Sequence, residues 1–135
     1  MTDTLSKEQR SANMRAVKSR DTKPEKVVRQ MSHTMGYRFR LHRRDLPGTP
    51  DLVFPSRRKV IFVHGCFWHG HKCRKGKQPP KTNAAFWEMK IAGNVRRDSQ
   101  QLRRLKKAGW LSLIVWECEI RKPARLTSRL RRFLG

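Results

Sequence analysis

Residues Val60–Cys73 read VIFVHGCFWHGHKC, and the rest of the chain is best understood outward from them. Val60–Val63 is a short apolar run of the length and composition expected for a buried strand. It leads directly into three histidines, two cysteines and the aromatics Phe67 and Trp68 within ten residues. A buried strand that ends in imidazoles, thiols and large rings predicts a functional site, because packing alone requires none of these groups.

The neighbouring segments supply the frame. Leu52–Phe54 is a second apolar run, joined to the first by the turn Pro55–Lys59, and the two predict adjacent strands. Tyr37–Leu41 is a short strand candidate, followed by a loop, Arg43–Pro50, that carries Pro47, Gly48 and Pro50. Upstream, a helix starts near Thr22, where Thr22 and Glu25 fit a capping box and Pro24 fits a first turn. Its buried stripe is Val27, Val28, Met31 and Met35, and Gly36 ends it. Ser6–Arg20 predicts an earlier, strongly basic helix. Downstream, Gly70–Lys81 is a basic loop and Asn83–Ala108 a long helix. Trp110–Trp116 is an apolar strand expected to be buried on both faces, and Leu126–Leu134 a terminal helix. This order predicts one α/β domain over residues 1–135, with helices on a mixed sheet. A chain of 135 residues supports one core and not two.

Lys and Arg number 33 against 10 Asp and Glu, a formal net charge of +23. The basic residues run from Arg10 to Arg132, so the excess belongs to the whole domain rather than to a tail. Such a surface predicts a nucleic-acid partner held largely through phosphate contacts. A membrane partner is not expected: Met1–Arg10 is too polar for a signal peptide, and no apolar run approaches the ~20 residues of a span. Three cysteines, Cys66, Cys73 and Cys118, favour metal ligation over disulfides.

Asp51 stands at the mouth of the Leu52–Phe54 strand, where a carboxylate can hold a hard divalent cation against a phosphate. The bland alternative is an Asp closing a proline-rich turn. His64 follows the neighbouring strand and could meet Asp51 at the same sheet edge as an acid or base. Asp98 lies on the apolar stripe Ile91, Val95, Leu102 and Leu105 of the long helix. A buried carboxylate needs a partner. A histidine of the 64–71 loop would serve, and Arg38 or Arg40 is the structural alternative. Cys66, His71, Cys73 and Cys118 form a possible tetrahedral zinc set, with His69 an alternative to His71. Phe67 and Trp68 suit wedges between base pairs, whereas Phe86 reads as core filling.

The segments NMRAVKSRDTKPE, LPGTPDLVF, VIFVHGCFWHGHKC, FWEMKIAGNVRRD and GWLSLIVWEC, in this order, closely resemble the very short patch repair DNA mismatch endonucleases. The resemblance covers about Ser11 to Cys118. It implies a restriction-endonuclease-like mixed sheet flanked by helices, with a structural zinc site. It also implies a magnesium-dependent nick 5′ to the thymine of a T:G mismatch left by deamination of 5-methylcytosine. The partners implied are double-stranded mismatched DNA and other mismatch-repair proteins, for a monomer in the bacterial cytoplasm, associated with the nucleoid.

By the same resemblance Asp51 binds magnesium and His69 is the general base, oriented by Asp98. His64 assists at the scissile phosphate or leaving group, and Glu25 binds a metal-linked water. Cys66, His71, Cys73 and Cys118 hold zinc. Phe67, Trp68 and Trp87 intercalate beside the mismatch, and the first helix clamps the DNA. Two departures from the family pattern stand out. Val63 occupies a position often held by threonine, where only the backbone carbonyl would ligate magnesium. His69-Gly70-His71-Lys72 replaces a run of four histidines. The competing readings are a catalytically silent zinc-containing DNA-binding module and a basic RNA-associated structural protein.

Overall fold

The computed structural model of the chain describes residues 22–73 and 83–135. The expected helix over Ser6–Arg20 and most of the Gly70–Lys81 loop lie outside the described residues. Helix α1 spans Lys23–Thr34, strands β1, β2 and β3 span Arg40–Leu41, Leu52–Phe54 and Lys59–His64, and helix α2 spans Ala84–Lys107. Strand β4, Leu111–Trp116, and helix α3, Pro123–Leu134, complete the order. The strands lie in the order β1-β2-β3-β4, the first two pairings antiparallel and the last parallel. The parallel pair requires a long crossover, and α2 lies within it. The sheet is mixed and carries helices on both faces, as the element order predicts.

Alternation along the strands divides the core into two layers. Leu52, Phe54, Ile61 and Val115 face one side, packed with Val28 of α1 and with Leu126, Leu130 and Leu134 of α3. Val53, Val60 and Phe62 face the other, against Leu105 of α2 and Trp110. The spacing of the three α3 leucines puts one on each turn of a single face, while Arg131 and Arg132 stay exposed and Arg129 pairs with Glu119. Half of the expected capping box forms at the α1 N-terminus: the Thr22 hydroxyl accepts the Glu25 N–H at 3.4 Å, while the Glu25 carboxylate turns to Arg29 and His42.

Three expectations need correction. The strand expected over Tyr37–Leu41 shrinks to Arg40–Leu41, because Tyr37 and Phe39 turn inward and set their rings edge-on against Phe54, at centroid distances of 6.5 and 5.9 Å. Strand β4 is not buried on both faces. Among the described residues it is an edge strand, only Val115 is fully covered, and Leu111 remains 56% exposed. The terminal helix starts earlier than Leu126, at Pro123, whose fixed φ suits a first helical position. No helix among the described residues is long and apolar enough to cross a membrane.

Candidate active site and metal centre

The sheet gathers the candidate residues at one end. The β2 strand begins, and β1, β3 and β4 finish, at this edge. Asp51 precedes β2, and its Oδ2 accepts the Val63 N–H of β3 at 2.6 Å. That bond fixes the carboxylate beside the Val63 backbone, one residue before His64. Burial pushes the Asp51 carboxyl up to about 7, partly offset by the Val63 N–H, with the nearby Glu25 charge adding to the rise. A carboxylate held in a low-dielectric site beside a second one favours a cation in its neighbourhood.

Sequence reasoning missed two members of this cluster. The His42 Nε2 lies 3.3 Å from Glu25 Oε2 and 3.6 Å from Asp51 Oδ1. The Arg29 Nη2, one turn along α1 from Glu25, reaches Glu25 Oε2 at 3.1 Å. Glu25 is among the few buried charged residues of the described chain. The i, i+4 spacing of Glu25 and Arg29 was visible in the sequence, and so was a lone histidine beside a strand candidate.

The second group lies on the α2 side of β3. His64 is buried at the end of β3, and its ring stacks on His69 with centroids 3.7 Å apart and 7° between planes. His69 Nδ1 donates to Asp98 Oδ2 at 2.6 Å. Asp98 is thus brought to a histidine of the loop rather than to Arg38 or Arg40. An Nδ1–H held by a carboxylate leaves the His69 Nε2 with its lone pair. Burial pushes His64 down to about 4, assisted by His69 and opposed by Asp98. Its Nδ1 is buried without a hydrogen-bond partner among the described residues and stands 3.9 Å from Asp98 Oδ2. A cavity of about 330 Å³ opens beside both histidines, lined also by Asp98, Leu102, Ile114 and Trp116.

The third group follows from the parallel pairing. His64 lies opposite Trp116, the last residue of each strand, and Cys66 and Cys118 each stand two residues past that end. The intervening loop folds back on itself, with the His71 N–H donating to the Cys66 carbonyl at 2.9 Å. Donor atoms of Cys66, His71, Cys73 and Cys118 all lie within 4.8 Å of one another. The Cys118 Sγ to His71 Nδ1 distance is 3.6 Å, about the edge that thiolate and imidazole ligands span on a tetrahedral zinc. The residues fit such an ion, and His71 rather than His69 belongs to the set. Without a cation, burial pushes the Cys66 thiol up to about 12 and raises Cys118 as well. A bound cation reverses that balance, since it ligates thiolates. Trp116, also missed, stacks on His71 at 4.1 Å and stands edge-on to His64 at 5.3 Å, so one indole separates the thiol set from the histidine pair.

The loop is pinned to α2. Asn94 Nδ2 donates to the Trp68 carbonyl at 2.9 Å. Gly70 takes φ +63°, and a Cβ there would stand 3.1 Å from Ile91 Cγ2 and 3.2 Å from Val95 Cγ2. Phe67, Trp68 and Trp87 form an edge-to-face cluster with centroids 5.0 to 6.1 Å apart. Phe86, expected to fill the core, is instead 57% exposed beside Trp87. It lies in the first turn of α2, more than four turns ahead of the core-facing Leu102 and Leu105.

Comparison with known proteins gives the chain a family. Residues 2–75 match the family model described as DNA mismatch endonuclease Vsr. The chain is 54% identical over 134 residues to the type II nicking enzyme V.XorIIP of Xanthomonas oryzae pv. oryzae, covering 99% of this chain and 98% of that protein. It is 40% identical over 134 residues to the type II nicking enzyme V.NmeAIP of Neisseria meningitidis, covering 99% and 95%. To the DNA mismatch endonuclease Vsr of Escherichia coli it is 46% identical over 127 residues, covering 94% and 81%. A match over more than half the chain, and relatives aligned along nearly all of it, lead to one conclusion: the chain belongs to the Vsr family of DNA mismatch endonucleases.

Proposed function

We propose that this protein nicks one DNA strand on the 5′ side of the thymine in a T:G mismatch left by deamination of 5-methylcytosine, and so starts very short patch repair. The observation that carries the reading is the His69–Asp98 pair, 2.6 Å apart and stacked on His64 beside an open cavity. This is the geometry of an oriented general base. The His69 Nε2 takes a proton from the attacking water while Asp98 holds the Nδ1–H. The water oxygen bonds to phosphorus, the bond to the departing sugar oxygen breaks, and that oxygen gains a proton from solvent or a nearby group. The imidazolium formed at His69 is stabilised by Asp98. His64, kept neutral by burial, supports its ring at van der Waals distance without a competing charge.

Asp51 Oδ1 and the Val63 backbone carbonyl would hold magnesium, with Glu25 on a water bound to it, and the ion's charge would stabilise the scissile phosphate. Cys66, His71, Cys73 and Cys118 would hold zinc and keep the loop that carries His69 in place. Phe67, Trp68 and Trp87 would enter the duplex beside the mismatch, where a poorly stacked T:G step lowers the cost of insertion. The net charge of +23 would supply the phosphate contacts.

The test uses end-labelled duplexes with T:G, T:A or C:G at one position in a methylation-site context, incubated in magnesium or EDTA and sized on a denaturing gel. The expected product is a magnesium-dependent nick 5′ to the mismatched thymine, absent from both matched duplexes. Binding without cutting would instead indicate a silent zinc-containing DNA-binding module. Equal cutting of all three would leave a nuclease without mismatch selection.

A further inference from the structure

His42 has no part in the reading above, yet the fold sets it at the centre of the acidic cluster. The β1–β2 register places Arg40 opposite Val53 and Leu41 opposite Leu52. One step beyond, His42 meets Asp51, and its N–H donates to the Asp51 carbonyl at 3.4 Å. The side chain is 14% exposed. Its Nε2 faces Asp51 Oδ1 rather than Oδ2, which is already taken by the Val63 N–H.

The donors come from three elements, α1, the end of β1 and the start of β2, and all lie within 4.8 Å of one another. The separations from His42 Nε2 are 3.3 Å to Glu25 Oε2 and 3.6 Å to Asp51 Oδ1. Adjacent donors on a six-coordinate divalent ion, at bond lengths of about 2.1 to 2.3 Å, stand about 3 Å apart. Closing the observed gaps takes side-chain shifts of a few tenths of an ångström. A positive group already approaches the same atoms: Arg29 Nη2 is 3.1 Å from Glu25 Oε2 and 3.5 Å from His42 Nε2.

We propose that His42 Nε2 is a direct ligand of the divalent cation at Asp51, beside Asp51 Oδ1 and Glu25 Oε2. This rests on the cation role of Asp51 proposed above. An imidazole in the set changes what the site accepts. Carboxylates and carbonyls suit magnesium, whereas a nitrogen ligand favours the first-row divalent ions over magnesium. His42 therefore makes this a mixed nitrogen and oxygen site that binds manganese more tightly than an all-oxygen site would.

The test measures manganese binding to the full, zinc-loaded chain without DNA. Electron paramagnetic resonance titration gives the affinity, and electron spin-echo modulation detects a directly bound ¹⁴N. The wild type should show that coupling. His42→Gln should lose it and weaken manganese binding about tenfold, the low end of what altering a metal site's surroundings costs. Near-UV circular dichroism should remain unchanged. Asp51→Asn should weaken binding in parallel. A folded His42→Gln with wild-type affinity and coupling overturns the His42 ligand while leaving the Asp51 site standing. If Asp51→Asn binds manganese as the wild type does, the cation site itself fails, and His42 with it. Should His42→Gln not fold, the wild-type echo decides alone: bound ¹⁴N supports the assignment and oxygen-only coordination overturns it.

Discussion

The rings of His64 and His69 lie nearly parallel, 3.7 Å between centroids, yet only His69 donates to a carboxylate, Asp98 Oδ2 at 2.6 Å. Two stacked imidazoles cannot both take a proton cheaply, because like charges at that distance repel strongly. Burial pushes His64 down to about 4 and so keeps it neutral, which accords with the base role proposed for His69. Replacing His69 with Ala should lower single-turnover nicking by about two to four orders of magnitude. Asp98→Asn should lower it nearly as far, through loss of orientation and of imidazolium stabilisation. Neither should change DNA affinity more than slightly. A nicking rate in His69→Ala within threefold of wild type would remove His69 as the base.

The thiol set predicts one tightly bound zinc per chain. Elemental analysis of undenatured protein should find about one zinc, and Cys118→Ser should lower both metal content and melting temperature. Chelation should unfold the 66–73 loop first, because three of its four donors come from that loop. Hydrogen exchange at Cys66–Cys73 reports this. Protection unchanged after complete zinc removal would separate the loop's order from the metal.

Gly70 permits the contact between the loop and α2. A methyl at this position would meet Ile91 Cγ2 at 3.1 Å and Val95 Cγ2 at 3.2 Å, on a backbone at φ +63°. Gly70→Ala should cost about 1 to 2 kcal/mol in denaturant unfolding, from left-handed strain and crowding together. It should also slow nicking, because His69 is the preceding residue. A variant as stable as wild type would show that the 69–72 turn relaxes freely.

Aromatic insertion is separable from phosphate contact by salt. Trp68→Ala should lose about 1 to 3 kcal/mol of affinity for the T:G duplex. Its salt dependence should stay as steep as that of wild type, since no phosphate contact is removed. Affinity for T:A duplex should change less. Equal losses on both duplexes would argue that Trp68 supports the aromatic cluster with Phe67 and Trp87 instead of reading the mismatch.

Much of this protein is legible in local pattern. The apolar runs Leu52–Phe54 and Val60–Val63 are strands, the Thr22–Glu25 cap starts a helix, and Leu126, Leu130 and Leu134 share one buried face. Each follows from periodicity or capping within a few residues, which needs no distant partner. The Asp98 expectation was legible for a related reason: a carboxylate on an apolar helix stripe requires a partner. Local pattern misled where burial depended on position in the sheet. The apolar Leu111–Trp116 segment forms an edge strand, and Tyr37 and Phe39 leave the sheet to cover Phe54.

The sequence by itself determined strands β2 and β3, the helices to within a few residues, and the set of groups able to do chemistry at the end of β3. Only the tertiary structure decided which of them meet. His42 faces Asp51 through the β1–β2 register, Cys118 reaches Cys66 through the parallel β3–β4 register, and Trp116 comes between His64 and His71. A period-2 pattern tells which face a side chain takes but is satisfied equally by any shift of two residues. Register is chosen by the packing of whole layers against α1, α2 and α3, and that choice sets the contacts between residues far apart in the chain.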